Sequence, residues 1–185
     1  MNYFLYKIKF STAVHFGSSD SALGLQNSED HFRSDTLFSA ICQTIIRSGN
    51  NLNELINMVR GRDLILSDSM PYKGEVFFLP KPIMRFNMEI EVPIEKRKMF
   101  KNLKWVPVTE NPAVYLDMVS FGSFFNREQA AVFPSDNAVP YEVGLYAFAP
   151  DCGLYFIVAL RDEEKEPWLT NLITSLGMTG VGGRI

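Results

Sequence analysis

Histidine and cysteine are scarce in this 185-residue chain, which holds two of each. Cys42 and Cys152 stand alone, without CxxC spacing. That excludes a cysteine-built zinc site and a disulfide framework, and both residues read as reduced core thiols of a cytoplasmic protein. No stretch approaches the roughly 20 apolar residues a membrane-spanning helix requires. The opening MNYFLYKIKF has no basic n-region, and its lysines interrupt the apolar run, so it does not read as a secretory signal. Low-complexity segments and internal repeats are missing as well. The glycines near the end, in SLGMTGVGGRI, do not make a nucleotide fingerprint. A Walker loop begun at Gly177 places Gly183 where lysine is needed. A dinucleotide loop begun at Gly180 places Ile185 where glycine is needed, and it follows a helix instead of a strand. No cofactor and no metal is called for.

What is present is a globular composition with an uneven charge. Hydrophobic residues make up 46% of the chain, too many for disorder. The net charge of −3 argues against a protein that coats nucleic acid unaided. Within residues 81–104, however, seven basic residues face three acidic ones, a local +4 that leaves −7 on the remainder. A cationic patch on an acidic body suits a subunit that grips a polyanion on one face and protein on others.

The periodicities predict an α+β protein. YFLYKIKF alternates, with Phe4, Tyr6, Ile8 and Phe10 on one side and Leu5, Lys7 and Lys9 on the other, a half-buried strand. RSDTLFSAICQTIIRSG carries a helical stripe of Leu37, Ala40, Ile41, Thr44 and Ile45, capped by Ser34 or Asp35 and stopped by Gly49. Asn51 with Glu54 resembles a capping box for a short second helix. LILSDSMPYKGEVFFLPKP reads as two strands, PIEKRKMFKNL as a helix and KWVPV as an edge strand. With the short helix set aside, the order is strand, helix, strand, strand, helix, strand, the βαββαβ arrangement of a ferredoxin-like, RRM-type domain over residues 1–108. Residues 109–138 read as an irregular connector. Over 139–185, YEVGLYAFAPDCGLYFIVAL is expected to form a hairpin turning at Pro150–Gly153. EPWLTNLITSLG is expected to form a helix that Gly177 ends, opening a second, incomplete ferredoxin-like unit.

Three stretches, in order, carry a resemblance: AVHFG after the first strand, FRSDTLFSAI opening the first helix, and FFLPKPI after the second hairpin strand. Together with LYAFAPDCGLYFIVAL and GMTGVGGR, the chain resembles the fourth subunit of the Csm complex. This is the crRNA-handle-binding RAMP-superfamily subunit of type III-A CRISPR effectors, and the resemblance spans essentially the whole sequence. It implies two ferredoxin-like domains in tandem, a grip on the 5′ handle of the crRNA, and contacts to a large polymerase-like subunit and the backbone RAMP subunit, without membrane attachment and without catalysis. In that family the glycine-rich loop continues into a basic hairpin and further strands. Ending at Ile185, the chain is expected to be truncated relative to the family, with the loop as an RNA-facing element.

The candidate RNA contacts follow from chemistry combined with that resemblance. Ser34 and Thr36 open a helix whose free N–H groups and partial positive charge suit a phosphate, although ordinary capping uses the same residues. Asp35 is assigned to capping, and Arg33 can grip a phosphate with two donors. His15, Gly17 and Ser18 follow the first strand, where an imidazole can stack on a base or bond a phosphate. Lys81 is held between two prolines. Lys96, Arg97, Lys98 and Lys101 form the densest basic stretch, which reads equally well as a solvated helix face. Gly180, Gly182, Gly183 and Arg184 offer bare backbone and a guanidinium. Tyr3, Tyr6, Tyr146, Phe148 and Tyr155 are assigned to the core or a subunit interface. Two rival functions stay open: a metal-independent crRNA-processing endoribonuclease using His15 or His31, and a purely structural adaptor.

Overall fold

A computed structural model describes residues 1–17, 24–81, 97–98, 102–108, 120–132 and 138–180. Strand β1 (Asn2–Ile8) leads to helices α1 (Ser34–Arg47) and α2 (Leu52–Arg60). Three short strands follow: β2 (Leu64–Leu66), β3 (Met70–Lys73) and β4 (Val76–Pro80). Beyond them lie β5 (Trp105–Pro107), β6 (Gly122–Val132), β7 (Ala138–Phe148), β8 (Cys152–Leu160) and helix α3 (Glu166–Thr179). All pairings between these strands are antiparallel. The α+β class expected from sequence is what forms. No helix among the described residues is long and apolar enough to cross a membrane.

The main sheet runs β1–β8–β3–β4–β5, with β2 also paired to β8. Its central strand is β8, whose CGLYFIVAL is buried at every position but one. A strand covered on both faces needs no polar alternation, and an unbroken apolar run is its signature. On one face Leu154, Phe156, Val158 and Leu160 meet Leu37, Ile41 and Ile45 of α1, Leu55 of α2, and Leu169, Leu172 and Leu176 of α3. Tyr155, on the opposite face, belongs to a second buried cluster with Met70, Tyr72, Phe78, Trp105, Phe121 and Cys152. Burying the Tyr155 hydroxyl pushes its pKa up to about 12, and that hydroxyl donates to the Phe78 carbonyl at 2.8 Å.

Several expectations are corrected by this pairing. Strands β7 and β8 do not form a hairpin: β7 pairs along its full length with β6, and β8 pairs with β1, β2 and β3. Residues 122–132, expected within an irregular connector, form the long strand β6. The proposed division into 1–108 and 139–185 does not separate two sheets, because β8 inserts between β1 and β3. Helix α3 passes through Gly177 and stops at Gly180, whose φ of 85° is the left-handed geometry that glycine tolerates. Of the aromatics assigned to the core or a subunit interface, Tyr3 is 73% exposed and so not part of the core, whereas Tyr6 stacks on Phe156 with ring centroids 5.4 Å apart.

The segment between β1 and α1 is pinned from several sides. Val14 and Tyr146 exchange backbone hydrogen bonds of 2.9 and 2.8 Å, so the chain leaving β1 is stitched to β7. The Glu29 amide donates to the Phe16 carbonyl at 2.8 Å, and the Gly144 amide to Leu25 at 2.7 Å. Buried Ser69 accepts from the Phe32 amide and donates to the Phe32 carbonyl, each at 2.8 Å, fixing where α1 starts.

Candidate nucleic-acid interface

Between the chain leaving β1 and the last turns of α3 lies a cleft of about 630 Å³. Its floor is the edge of the core, including Leu37, Phe156 and Leu176. Its polar lining comes from Lys7, Lys9, Ser11, Thr12, His15 and Thr174, and Gly177 and Gly180 line it as well. An apolar floor with a few polar groups at the rim is the usual construction of a site that takes a flat, partly apolar ligand. Two predicted residues far apart in sequence, His15 and Gly180, therefore line one cleft.

His15 is held by its Nδ1, 2.7 Å from the Gly144 carbonyl oxygen. If Nδ1 carries the proton for that bond, Nε2 is left as the working atom. The position of Gly144 depends on a close approach: a Cβ there would lie 2.2 Å from the Gln26 carbonyl oxygen. Gly180 meets the opposite condition, since a Cβ there would have nothing within 4 Å. Of the two lysines, Lys7 is engaged by the Gly74 carbonyl (3.2 Å) and Glu75 (3.5 Å), and sits 4.5 Å from the Tyr72 ring centroid. Lys9 is exposed. Sequence reasoning placed both lysines on the outer side of β1 but gave them no role. The alternation that exposes them was the available signal.

The start of α1 is arranged differently from the expectation. The Ser34 amide donates to Asp68 Oδ1 at 2.7 Å, and the Thr36 amide donates to Asp35 Oδ1 at the same distance. Two carboxylates thus sit on amides that a phosphate would use, and their charge opposes one. Arg33 is exposed at the N-cap position without a side-chain capping bond. Gly17 is exposed and pairs with Ser28.

A second cluster joins the segment before α1 to β5. Asp30 Oδ1 lies 2.8 Å from His31 Nδ1 and 3.0 Å from Lys104 Nζ. The His31 ring meets Trp105 edge-on at 5.4 Å. Burial pushes the Asp30 carboxyl up, but the hydrogen bonds from His31 and Lys104 outweigh it and hold the group well below the usual carboxylate range. Glu29, Asp30 and His31 are the one group of potential metal ligands among the described residues. The ammonium and imidazole already on Asp30 would have to be displaced by a cation. The Lys81 amide donates to the Lys104 carbonyl at 2.9 Å, so Lys81 stands beside this cluster. Arg97 and Lys98 are exposed. Ser18, Lys96, Lys101, Gly182, Gly183 and Arg184 lie outside the described residues. His15 and His31 are held by different partners, the Gly144 carbonyl and Asp30.

No family model matches the chain. It is 28% identical over 195 residues to the CRISPR system Cms protein Csm4 of Mycobacterium tuberculosis (strain ATCC 25618 / H37Rv), a match covering 99% of this chain and 61% of that protein. It is 27% identical over 176 residues to the Csm4 of Thermococcus onnurineus (strain NA1), covering 82% of this chain and 58% of that one. The chain is a relative of the Csm4 proteins. It spans about three-fifths of the length of these Csm4 relatives. Its fold is shared with a chain in the crystal structure of a Csm1–Csm4 cassette in complex with AMPPNP, at a TM-score of 0.64 and 19% identity. That match covers 95% of this chain and 67% of the other. A chain in the Csm3–Csm4 subcomplex of the type III-A CRISPR-Cas interference complex matches at a TM-score of 0.57 and 16% identity, covering 99% of this chain and 66% of the other.

Proposed function

We propose that the chain is a non-catalytic subunit of a type III-A CRISPR interference complex. In this reading it holds the 5′ handle of the crRNA at the cleft between β1 and α3 and docks against a large subunit and a backbone subunit. The observation that carries the reading is the convergence on one cleft of His15, from the β1–α1 connection, and Gly180, from the start of the glycine-rich segment. The Csm4 relationship covering 99% of the chain supports the assembly. A ferredoxin-like reading of the fold has similar support. β1, α1, the broken strand β2/β3, β8 and α3 occupy the first five places of a ferredoxin-like unit, with residues 76–148 as an insertion between its second and third strands. Handle contacts combine Lys9 and Arg33 on phosphates, Nε2 of His15 on a phosphate or base edge, and the open backbone at Gly180. The basic stretch with Lys81, Lys96, Arg97, Lys98 and Lys101 adds backbone attraction, and Gly17, Ser18, Gly182, Gly183 and Arg184 are further candidate handle contacts. Ser34 and Thr36 serve as helix opening. The non-catalytic reading is preferred because the partners of His15 and His31 among the described residues, the Gly144 carbonyl and Asp30, are separate and engage only the Nδ1 atoms.

The test uses the assembled complex. Lys9→Glu with His15→Ala is expected to lower crRNA occupancy severalfold and to flatten its salt dependence, since each lost phosphate contact removes about one unit of the logarithmic salt slope. Unchanged occupancy and slope would leave the chain as a structural adaptor. Cleavage of repeat RNA that His15→Ala or His31→Ala abolishes would establish the ribonuclease instead.

A further inference from the structure

The helices cover one face of the β1–β8–β2 part of the main sheet; on the other, Ala159 of β8 is buried and Ile157 half-buried, while the flanking strands β1 and β2 expose large apolar side chains. Tyr3 stands opposite Ala159, which stands opposite Ile65; Leu5 stands opposite Ile157. Side chains directly opposite on paired strands share a face. Tyr3, Ile65 and Leu5 are 73%, 48% and 46% exposed there. Further along the same face, Tyr155 and Tyr72 are buried, and Phe77 packs edge-on against Tyr155 with ring centroids 4.8 Å apart. Tyr3, Leu5 and Ile65 are thus exposed flanks of a face that is otherwise packed.

Its charges say what kind of molecule covers it. Lys7 borders the patch at one end and pairs with Glu75 at 3.5 Å. Arg161 borders it at the other and pairs with Asp63 at 2.9 Å, in contact but not aligned as a hydrogen bond. Both bordering cations are already compensated within the chain. RNA binding draws its affinity from uncompensated Lys and Arg, so this neutral, apolar face suits protein. Three strands about 4.8 Å apart give a patch roughly 10 Å across. Two copies placed patch to patch would bury far less than the roughly 800 Å² per partner of a stable interface. A self-dimer on this surface alone is therefore too small, and the patch fits the apolar centre of a wider contact.

We propose that Tyr3, Leu5 and Ile65 anchor the contact to a separate protein subunit, one that presents an uncharged apolar surface and an acceptor for the Tyr3 hydroxyl. An exposed tyrosine set among aliphatic side chains is a common composition for such an anchor. The proposal rests on the reading of the chain as a complex subunit, and Lys7, which borders the patch, also lines the RNA cleft.

The experiment uses the full chain, affinity-tagged and purified with its large subunit, backbone subunit and crRNA, with composition read by native mass spectrometry. Leu5→Asp with Ile65→Asp, and separately Tyr3→Ala, are expected to weaken retention of one protein subunit by at least about tenfold while melting temperature stays near wild type. Full retention of every subunit in both variants overturns the proposal and leaves the complex reading standing. Ultraviolet crosslinks from Tyr3 to RNA overturn it in favour of base stacking. A wild-type chain that recovers neither protein subunit overturns both.

Discussion

Replacing Gly144 by alanine isolates the contact on which the cleft depends. The Gly144 backbone has no positive φ, so alanine can adopt its conformation and the cost is steric. The new Cβ would lie 2.2 Å from the Gln26 carbonyl oxygen and 2.7 Å from its carbon, both backbone atoms that cannot swing aside. Relief requires a shift of about 1 Å, and overpacking of this kind costs about 1–3 kcal/mol. That shift pulls on two hydrogen bonds of 2.7 Å, from the Gly144 amide to Leu25 and between His15 Nδ1 and the Gly144 carbonyl, at about 1 kcal/mol each. The combined loss is about 3–5 kcal/mol, and at about 2–4 °C per kcal/mol for a chain of this size the melting temperature falls by roughly 6–20 °C. Gly177→Ala is the control. It lies inside α3 with nothing within 4 Å of the added methyl, and it should raise stability by about 0.5–1 kcal/mol. Thermal and urea unfolding of the pair decide the matter. A Gly144→Ala protein that melts within a degree of wild type would refute the packing argument, and with it the dependence of His15's position on that close approach.

Three further predictions address other parts of the molecule. The Asp30 carboxyl titrates lower folded than unfolded, so its stabilisation is complete above the ordinary value of about 3.9 and fades as pH falls towards the folded value; Asp30→Asn should flatten the urea-measured loss of stability between about pH 4.5 and 2.5, and parallel profiles would contradict this. Phe156→Ala, at a fully buried position beneath α1 and α3, should cost about 3–5 kcal/mol in urea unfolding. Asp68→Ala frees the Ser34 amide and should destabilise by about 1 kcal/mol; if it also tightens RNA binding, the start of α1 becomes a phosphate site after all.

The local elements were legible because their signals are local. Alternation marked β1, the 3.6-residue stripe marked α1, and Asn51 marked the start of α2, where its side chain accepts from the Asn53 amide at 2.9 Å. The capping-box partner did not follow: Glu54 reaches Lys165 at 2.6 Å instead. Pairing partners were not legible. The turn at Pro150–Gly153 forms, with Asp151 at a φ of 60°, yet β7 and β8 diverge from it because β8 gains more by filling the centre of the main sheet. The unbroken apolar run of β8 was the available clue, since a hairpin strand with one solvated face would alternate. Strand β6 was hidden because NREQAA has no apolar alternation, and β7 is what holds it extended. For the site, His15 and the glycines could be named from chemistry, but not their meeting in one cleft. Nor could the occupation of the α1 amides by Asp68, which comes from a loop 34 residues away.

The most direct test of the account is site-specific crosslinking from the first nucleotides of the crRNA in the intact assembly, with the crosslinked peptides identified by mass spectrometry. Adducts should map to the cleft, at Lys9, His15 and the end of α3 around Gly180. Handle nucleotides that crosslink to other subunits and never to this chain would contradict it.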